Sequence, residues 1–149
     1  SVTFVYEKNS EVVGFYTACE STDSFFREQL IKRGHLFIFP ILLQLIKTPF
    51  LIVKIYEAIR YPYLFSEKFE KAELLSLAVM KEYRGKGIGS EMFYHLVQEF
   101  KKRNVPGFKT GVRPAMKAND FYRKTGFVWV DVIRLYGDEF NFYNFYIKG

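Results

Sequence analysis

The segment from Glu73 to Ser90, ELLSLAVMKEYRGKGIGS, constrains this chain more than any other. A nearly unbroken apolar run, Glu73 to Met80, reads as a strand buried on both faces. A charged turn follows, with Gly85, Gly87 and Gly89 at alternate positions, and then an amphipathic helix pattern from Ser90 to Lys102. Glycine weakens any regular element, so three of them between a strand and a helix need a cause. Such a turn bares the first amides of the helix, and the positive end of the helix dipole adds to them. Glycine lets a ligand reach that backbone, and Arg84 and Lys86 bring positive charge to the same place. The expectation is a cradle for a phosphate or pyrophosphate.

Two familiar cradles do not fit. A nucleoside-triphosphate P-loop needs Gly-Lys followed by Ser or Thr, and Lys86 is followed by Gly87. A dinucleotide fingerprint places its third glycine where Ser90 stands, and it calls for an acidic residue at the end of the next strand, where FKTGV has none.

The rest of the chain frames this segment. Thr3 to Ala18 reads as a hairpin around the polar turn EKNSE. From Ser24 to Pro62 the sequence is rich in Leu, Ile and Phe and punctuated by Gly34, Pro40, Pro49 and Pro62, which predicts two or three short helices broken at the prolines. On the helix after the glycine turn, Met92, Phe93, Leu96, Val97 and Phe100 share one stripe. Phe108 to Val112 predicts a strand, and Pro114 to Lys124 a helix opened by its proline and closed by Gly126. Phe127 to Tyr136 and Glu139 to Lys148 predict a closing hairpin turning at Gly137-Asp138. The order gives an α/β (α+β) fold, a mixed sheet layered with helices, and the length of 149 residues suits a single domain, 1–149, with 24–62 as an atypical helical segment.

Charge and cysteine content narrow the chemistry. A net charge of +6 suits an anionic ligand, a membrane surface or nucleic acid. Nucleic acid is the weakest of these, because the cations are spread along the chain and the best cluster already has a phosphate to hold. The single cysteine, Cys19, allows no internal disulfide and no cysteine-based metal site, and it is expected to be a small buried side chain. His35 and His95 lie far apart, and His95 reads as a packed or surface residue. No metal site is expected. A reducing, cytoplasmic setting is the simplest expectation, and no signal-peptide pattern opens the sequence.

The stretch AELLSLAVMKEYRGKGIGS resembles the central motif of the GNAT superfamily of acyl-CoA N-acetyltransferases, in which an Arg or Gln is followed by two residues, Gly, one residue, and Gly or Ala. Arg84, Gly87 and Gly89 meet that pattern, and ANDFYRKTGF supplies the second landmark through Tyr122, Gly126 and Phe127. The resemblance covers Glu73 to Lys148 well, Thr3 to Ala18 loosely, and the middle segment not at all. It implies a mostly antiparallel sheet and acetyl-CoA (coenzyme A) as the donor. It implies direct attack by a primary amine, on an amino sugar, a small amine or a peptide N-terminus, within a ternary complex. The competing reading is a non-catalytic acyl-CoA-binding or regulatory domain.

The same resemblance assigns residues. The strand before the turn would splay from its neighbour and pair with the pantetheine arm through Leu77, Ala78 and Val79, with the Val79 amide polarising the acetyl carbonyl. The turn Arg84, Gly85, Lys86, Gly87, Ile88, Gly89 and Ser90 would hold the pyrophosphate. Tyr122 would protonate the departing thiolate, and Glu73, acting through a water, would take the amine's proton. Asn119 would either bond the cofactor or cap surface. Many relatives carry an asparagine where this chain has Ala115, so that contact falls to Asn119 or Arg113. For 24–62, six cations against Glu28 and Glu57 leave a packed core or lid, a homodimer contact and a peripheral membrane contact all open. Insertions of this kind occur in relatives associated with surface sugars, which points toward an amino-sugar acceptor.

Overall fold

The first two strands, β1 (Val2–Lys8) and β2 (Glu11–Cys19), turn on Asn9 and Ser10, both in the left-handed region at φ 53° and 62°. The turn is therefore tighter than EKNSE suggested. The computed structural model describes residues 1–65 and 67–148, and at 30, 37–39, 42 and 62 the backbone alone. The remaining elements, in chain order, are α1 (Thr22–Lys47), α2 (Leu51–Arg60), β3 (Ala72–Val79), α3 (Ile88–Lys102), β4 (Gly107–Val112), α4 (Ala118–Lys124), β5 (Val128–Leu135) and β6 (Asp138–Tyr146). Short 3₁₀ turns at Tyr61–Leu64 and Lys81–Tyr83 precede β3 and the glycine turn.

The six strands form one sheet in the order β1-β2-β3-β4-β6-β5. Only β3 and β4 run parallel. The sheet is thus mixed and mostly antiparallel, flanked by helices, as expected. The core lies between the sheet and α3, whose Met92, Phe93, Leu96 and Phe100 are almost fully buried. Phe93 meets Phe127 and Phe145 at ring separations of 5.6 and 5.0 Å, and Phe100 meets Phe108 at 5.2 Å. Such pairs each add about 0.5–1.5 kcal/mol beyond their buried area. Part of the aromatic content, 19% of the chain, goes into these core layers, while Phe50, Tyr56, Tyr63, Tyr94 and Trp129 are exposed. His95 belongs to this packing: its ring lies 4.1 Å from Phe4, and its Nδ1 shares a 2.8 Å hydrogen bond with the Tyr16 hydroxyl.

Four sequence expectations shift. The segment 24–62 is not cut at Pro40, because α1 runs unbroken through Gly34 and Pro40 to Lys47. A proline in a helix forfeits one amide bond without having to end it, and here the turns on both sides of Pro40 within the 26-residue helix carry it across. α1 starts at Thr22, capped by the Ser21 side chain, which accepts from the Ser24 amide at 3.3 Å. The fourth helix begins at Ala118 rather than Pro114, since 114–117 form turns that supply carbonyls to a neighbouring side chain. The closing hairpin turns at Tyr136-Gly137, at φ 56° and 86°, one residue earlier than Gly137-Asp138. Finally, β3 is not buried on both faces along its length: Ala72 to Leu74 are buried and Leu75 to Val79 only half-buried. The cause is the divergence of β4 from β3, which opens the site. Among the described residues no helix is long and apolar enough to cross a membrane.

Candidate active site

β3 and β4 pair only through Ala72 with Phe108 and Glu73 with Lys109. On its other side β3 stays paired with β2 as far as Val79, which faces Gly14. From Leu74 onward, then, one edge of β3 is free. Backbone direction along that edge follows from two bonds. The Met80 amide donates to Val13 of β2 at 2.9 Å, whereas the Val79 carbonyl accepts from Arg84 Nε at 2.9 Å. Polar groups alternate along a strand, so Val79 and Leu77 present theirs to the open side and Ala78 presents its own to Phe15. Of the three residues expected to line the gap, Ala78 turns away.

The glycine turn closes one end of this gap. Gly85 and Gly87 sit at φ 75° and 86°, and an added Cβ at either would meet nothing within 4 Å. The space above them is open, and the left-handed backbone is what excludes other residues there. Gly87 caps α3 without a side-chain partner, and the amides of Ser90 and Glu91 both return to its carbonyl, at 2.9 and 3.0 Å. The helix amides left without an intrahelical carbonyl are those ahead of them, at Ile88 and Gly89, directly after Gly87 in the chain. Ser90 can thus contribute only its hydroxyl. Ile88 is buried by its side chain, so its part is its amide. Arg84 braces the turn against β3, and the Lys86 ammonium lies 5.2 Å above the exposed face of Tyr83.

Tyr122 approaches the gap from the helix side of the sheet. α4 buries it against Phe127, at a ring separation of 5.0 Å, and beside the Thr110 hydroxyl of β4. Thr110 donates in turn to the Leu74 carbonyl of β3 at 3.1 Å, which ties the two strands where they part. Loss of water raises the Tyr122 pKa, against a smaller lowering by Thr110, so the phenol keeps its proton. Asn119 has another task than the one expected. Its amide nitrogen donates to the carbonyls of Arg113, Pro114 and Met116 at 2.7–3.0 Å, and its oxygen accepts from Asn141 and Tyr143 at 3.0 and 2.9 Å. Every hydrogen-bonding site on it is occupied, so it fastens the loop before α4 to β6 and offers a ligand nothing.

On the opposite face lies Glu73, at 3% exposure. Its Oε2 accepts from the Thr22 hydroxyl at 2.8 Å and stands 3.6 Å from Lys109 Nζ, and its Oε1 accepts from the Tyr61 phenol. Lys109 also donates to Thr22 at 2.8 Å and to the Glu70 carbonyl at 2.9 Å. Burial raises the Tyr61 pKa, and the Glu73 charge raises it further. Burial lowers that of Lys109, against the opposing pull of Glu73. Cys19, also buried, has its thiol pushed up to about 11 by burial and by Glu73, which leaves it inert as a nucleophile near neutral pH. Thr22, Tyr61 and Lys109 escaped the sequence reading. Lys109 carried a usable signal, since it is a lysine at the centre of a short, otherwise uncharged strand pattern.

The mixed sheet that parts between β3 and β4, leads through a glycine turn into α3 and buries Tyr122 beside Thr110 has the architecture of an acyltransferase fold. A sequence model of the acetyltransferase (GNAT) family matches residues 1–127, and the chain belongs to that family. No curated protein matches the sequence. Among solved structures, the chain resembles an N-acetyltransferase from Staphylococcus aureus Mu50, with a TM-score of 0.67 and 20% identity over 96% of this chain and 69% of that one. It also resembles the ribosomal-protein-S18-alanine N-acetyltransferase from Escherichia coli, with a TM-score of 0.59 and 16% identity over 99% and 70%. A GNAT acetyltransferase from Elizabethkingia anophelis, solved with acetyl-CoA bound, matches with a TM-score of 0.55 and 13% identity over 97% and 74%. At these identities the likeness is one of fold.

Proposed function

We propose that this protein transfers an acetyl group from acetyl-CoA to a primary amine. The observation that carries the reading is the free edge of β3 leading into a turn of unpaired amides with room above them. Gly85, Gly87, Ile88 and Gly89 supply donors for a pyrophosphate, and Leu77 and Val79 supply the edge along which a pantetheine arm would lie. Fit is favourable at both places, since the backbone is approachable and no side chain fills the space above Gly85 and Gly87.

The chemistry divides across the sheet. The amine's nitrogen forms a bond to the acetyl carbon while the bond from that carbon to sulfur breaks. The amide of Leu77, the open-edge residue nearer Glu73, stabilises negative charge on the carbonyl oxygen; Val79, roughly 20 Å along the strand from Glu73, lies beyond the reach of a group that Tyr61 also touches. Tyr122, still protonated in its buried position, gives its proton to the leaving sulfur. Glu73 takes the amine's proton through the Tyr61 phenol, which passes its own proton to Oε1 as it receives another. Tyr61 thus does the work first assigned to a water.

Acetyl-CoA should raise the melting temperature by roughly 5–10 °C at about a hundredfold excess over its Kd. Thiol release from acetyl-CoA should then depend on added amine. Stabilisation without thiol release across a broad set of amines would leave the binding-only reading in its place.

A further inference from the structure

A cavity of 260 Å³ lies on the face of the sheet opposite α3, beside the point where β3 and β4 part. Glu73, Leu75 and Gly111 form its floor, Phe26 and Tyr61 one wall, and the β5–β6 hairpin the other, with Phe140 projecting from it. Two of these wall residues come from the helical segment 24–62, for which the sequence left a core or lid, a dimer contact and a membrane contact open. Resting on the transfer reading above, we infer that this cavity is the acceptor site and that it selects amines with an apolar body, bound as the free base.

Three features carry this. First, position: Tyr122 and Thr110 reach the gap from the helix side, and the cavity opens beside the same gap from the other. A thioester held along β3 would therefore present its acetyl group to an amine in the cavity. Second, lining: among the described residues, Tyr61, Glu73 and Tyr136 bring polar side chains, and the other seven offer carbon or, at Gly111, bare backbone. Gly111 cannot grow, because a Cβ there would sit 2.6 Å from the Phe142 ring. Hydroxyls of a sugar would lose water against Phe and Leu walls with almost nothing to bond them. Third, charge: Glu73 already has Lys109 at 3.6 Å, with both groups buried, and bonds from Thr22 and Tyr61. An ammonium entering there would be a second cation around one carboxylate, while a neutral amine can hydrogen-bond to Tyr61 and hand it a proton. The amino-sugar acceptor suggested by the insertion is disfavoured on these grounds.

The test is a panel of phenethylamine, hexylamine, glucosamine and spermidine at saturating acetyl-CoA, following thiol release. The two apolar amines should exceed the other two by at least about 100-fold in kcat/KM. Their rates should rise with pH as the free base accumulates. Phe26→Ala should raise KM for phenethylamine several-fold, with the KM for acetyl-CoA unchanged and the melting temperature within a few degrees of the parent. Phe140→Ala provides the same comparison on the other wall. Equal or better turnover of glucosamine or spermidine overturns the inference while leaving the transfer reading intact. So does acetyl-CoA binding with no turnover of either apolar amine. Failure to bind acetyl-CoA overturns both.

Discussion

Replacing Lys109 with methionine isolates the buried ion pair at the base of the two central strands. Lys109 and Glu73 side chains are 2% and 5% exposed, and their charged atoms are 3.6 Å apart. Methionine keeps most of the stem that lies over the Phe65 ring, where the ammonium now sits 4.4 Å from the centroid. What is lost is the charge and its bonds to Thr22 and to the Glu70 carbonyl. Glu73 is then a buried carboxylate with two neutral donors and no counter-charge. Breaking one side of such a pair costs about 3–5 kcal/mol. For a chain of this size each kcal/mol moves the melting temperature by about 2–4 °C, so the midpoint should fall by roughly 6–20 °C. Glu73→Gln in the same background removes the stranded charge and keeps groups able to bond Thr22 and Tyr61. The double variant should recover about 2 kcal/mol of the loss, a coupling within the range for residues in contact. Urea and thermal unfolding of the parent, both single variants and the double variant close the cycle. A Lys109→Met loss under about 1 kcal/mol, or a double variant that merely sums the two singles, would refute the view that Glu73 is held as a charged, compensated group.

Three further outcomes follow from the site. Tyr122→Phe should lower kcat by roughly 10²–10⁴ with the Kd for acetyl-CoA unchanged, measured by steady-state kinetics beside calorimetry; equal loss in both would reduce Tyr122 to a packing residue. Gly87→Ala introduces a side chain at φ 86°, which costs the fold about 1–2 kcal/mol in a place free of clashes, so acetyl-CoA affinity should fall more than stability does. The Cys19 thiol should resist alkylation at pH 8 in the native protein and react on unfolding. Its folded value of about 11 lies above the ordinary 9.0, so its contribution to stability is complete below pH 9 and is lost between pH 9 and about 11.

The glycine turn was legible in the sequence because its evidence is local. Gly85 and Gly87 stand where the chain must turn left-handed between a strand and a helix, and residue type alone reports that need. The amphipathic stripe of α3 and the two hairpins were legible for the same reason, since period and turn chemistry operate over a few residues. Boundaries slipped where neighbours compete: Pro114 and Met116 turned their carbonyls to Asn119, and the second turn settled on Tyr136 rather than Asp138.

What the sequence alone determined, then, was the family's strand–turn–helix with its left-handed glycines, because short-range backbone geometry dictates them. The tertiary structure decided the rest. It spent Asn119 on β6 and brought Lys109, Thr22 and Tyr61 around Glu73 across separations of 36, 51 and 12 residues. It also walled the cavity with the helical segment between the first hairpin and β3. Burial makes a charge seek partners, and which partners it finds depends on how distant strands and helices pack, which no local pattern encodes.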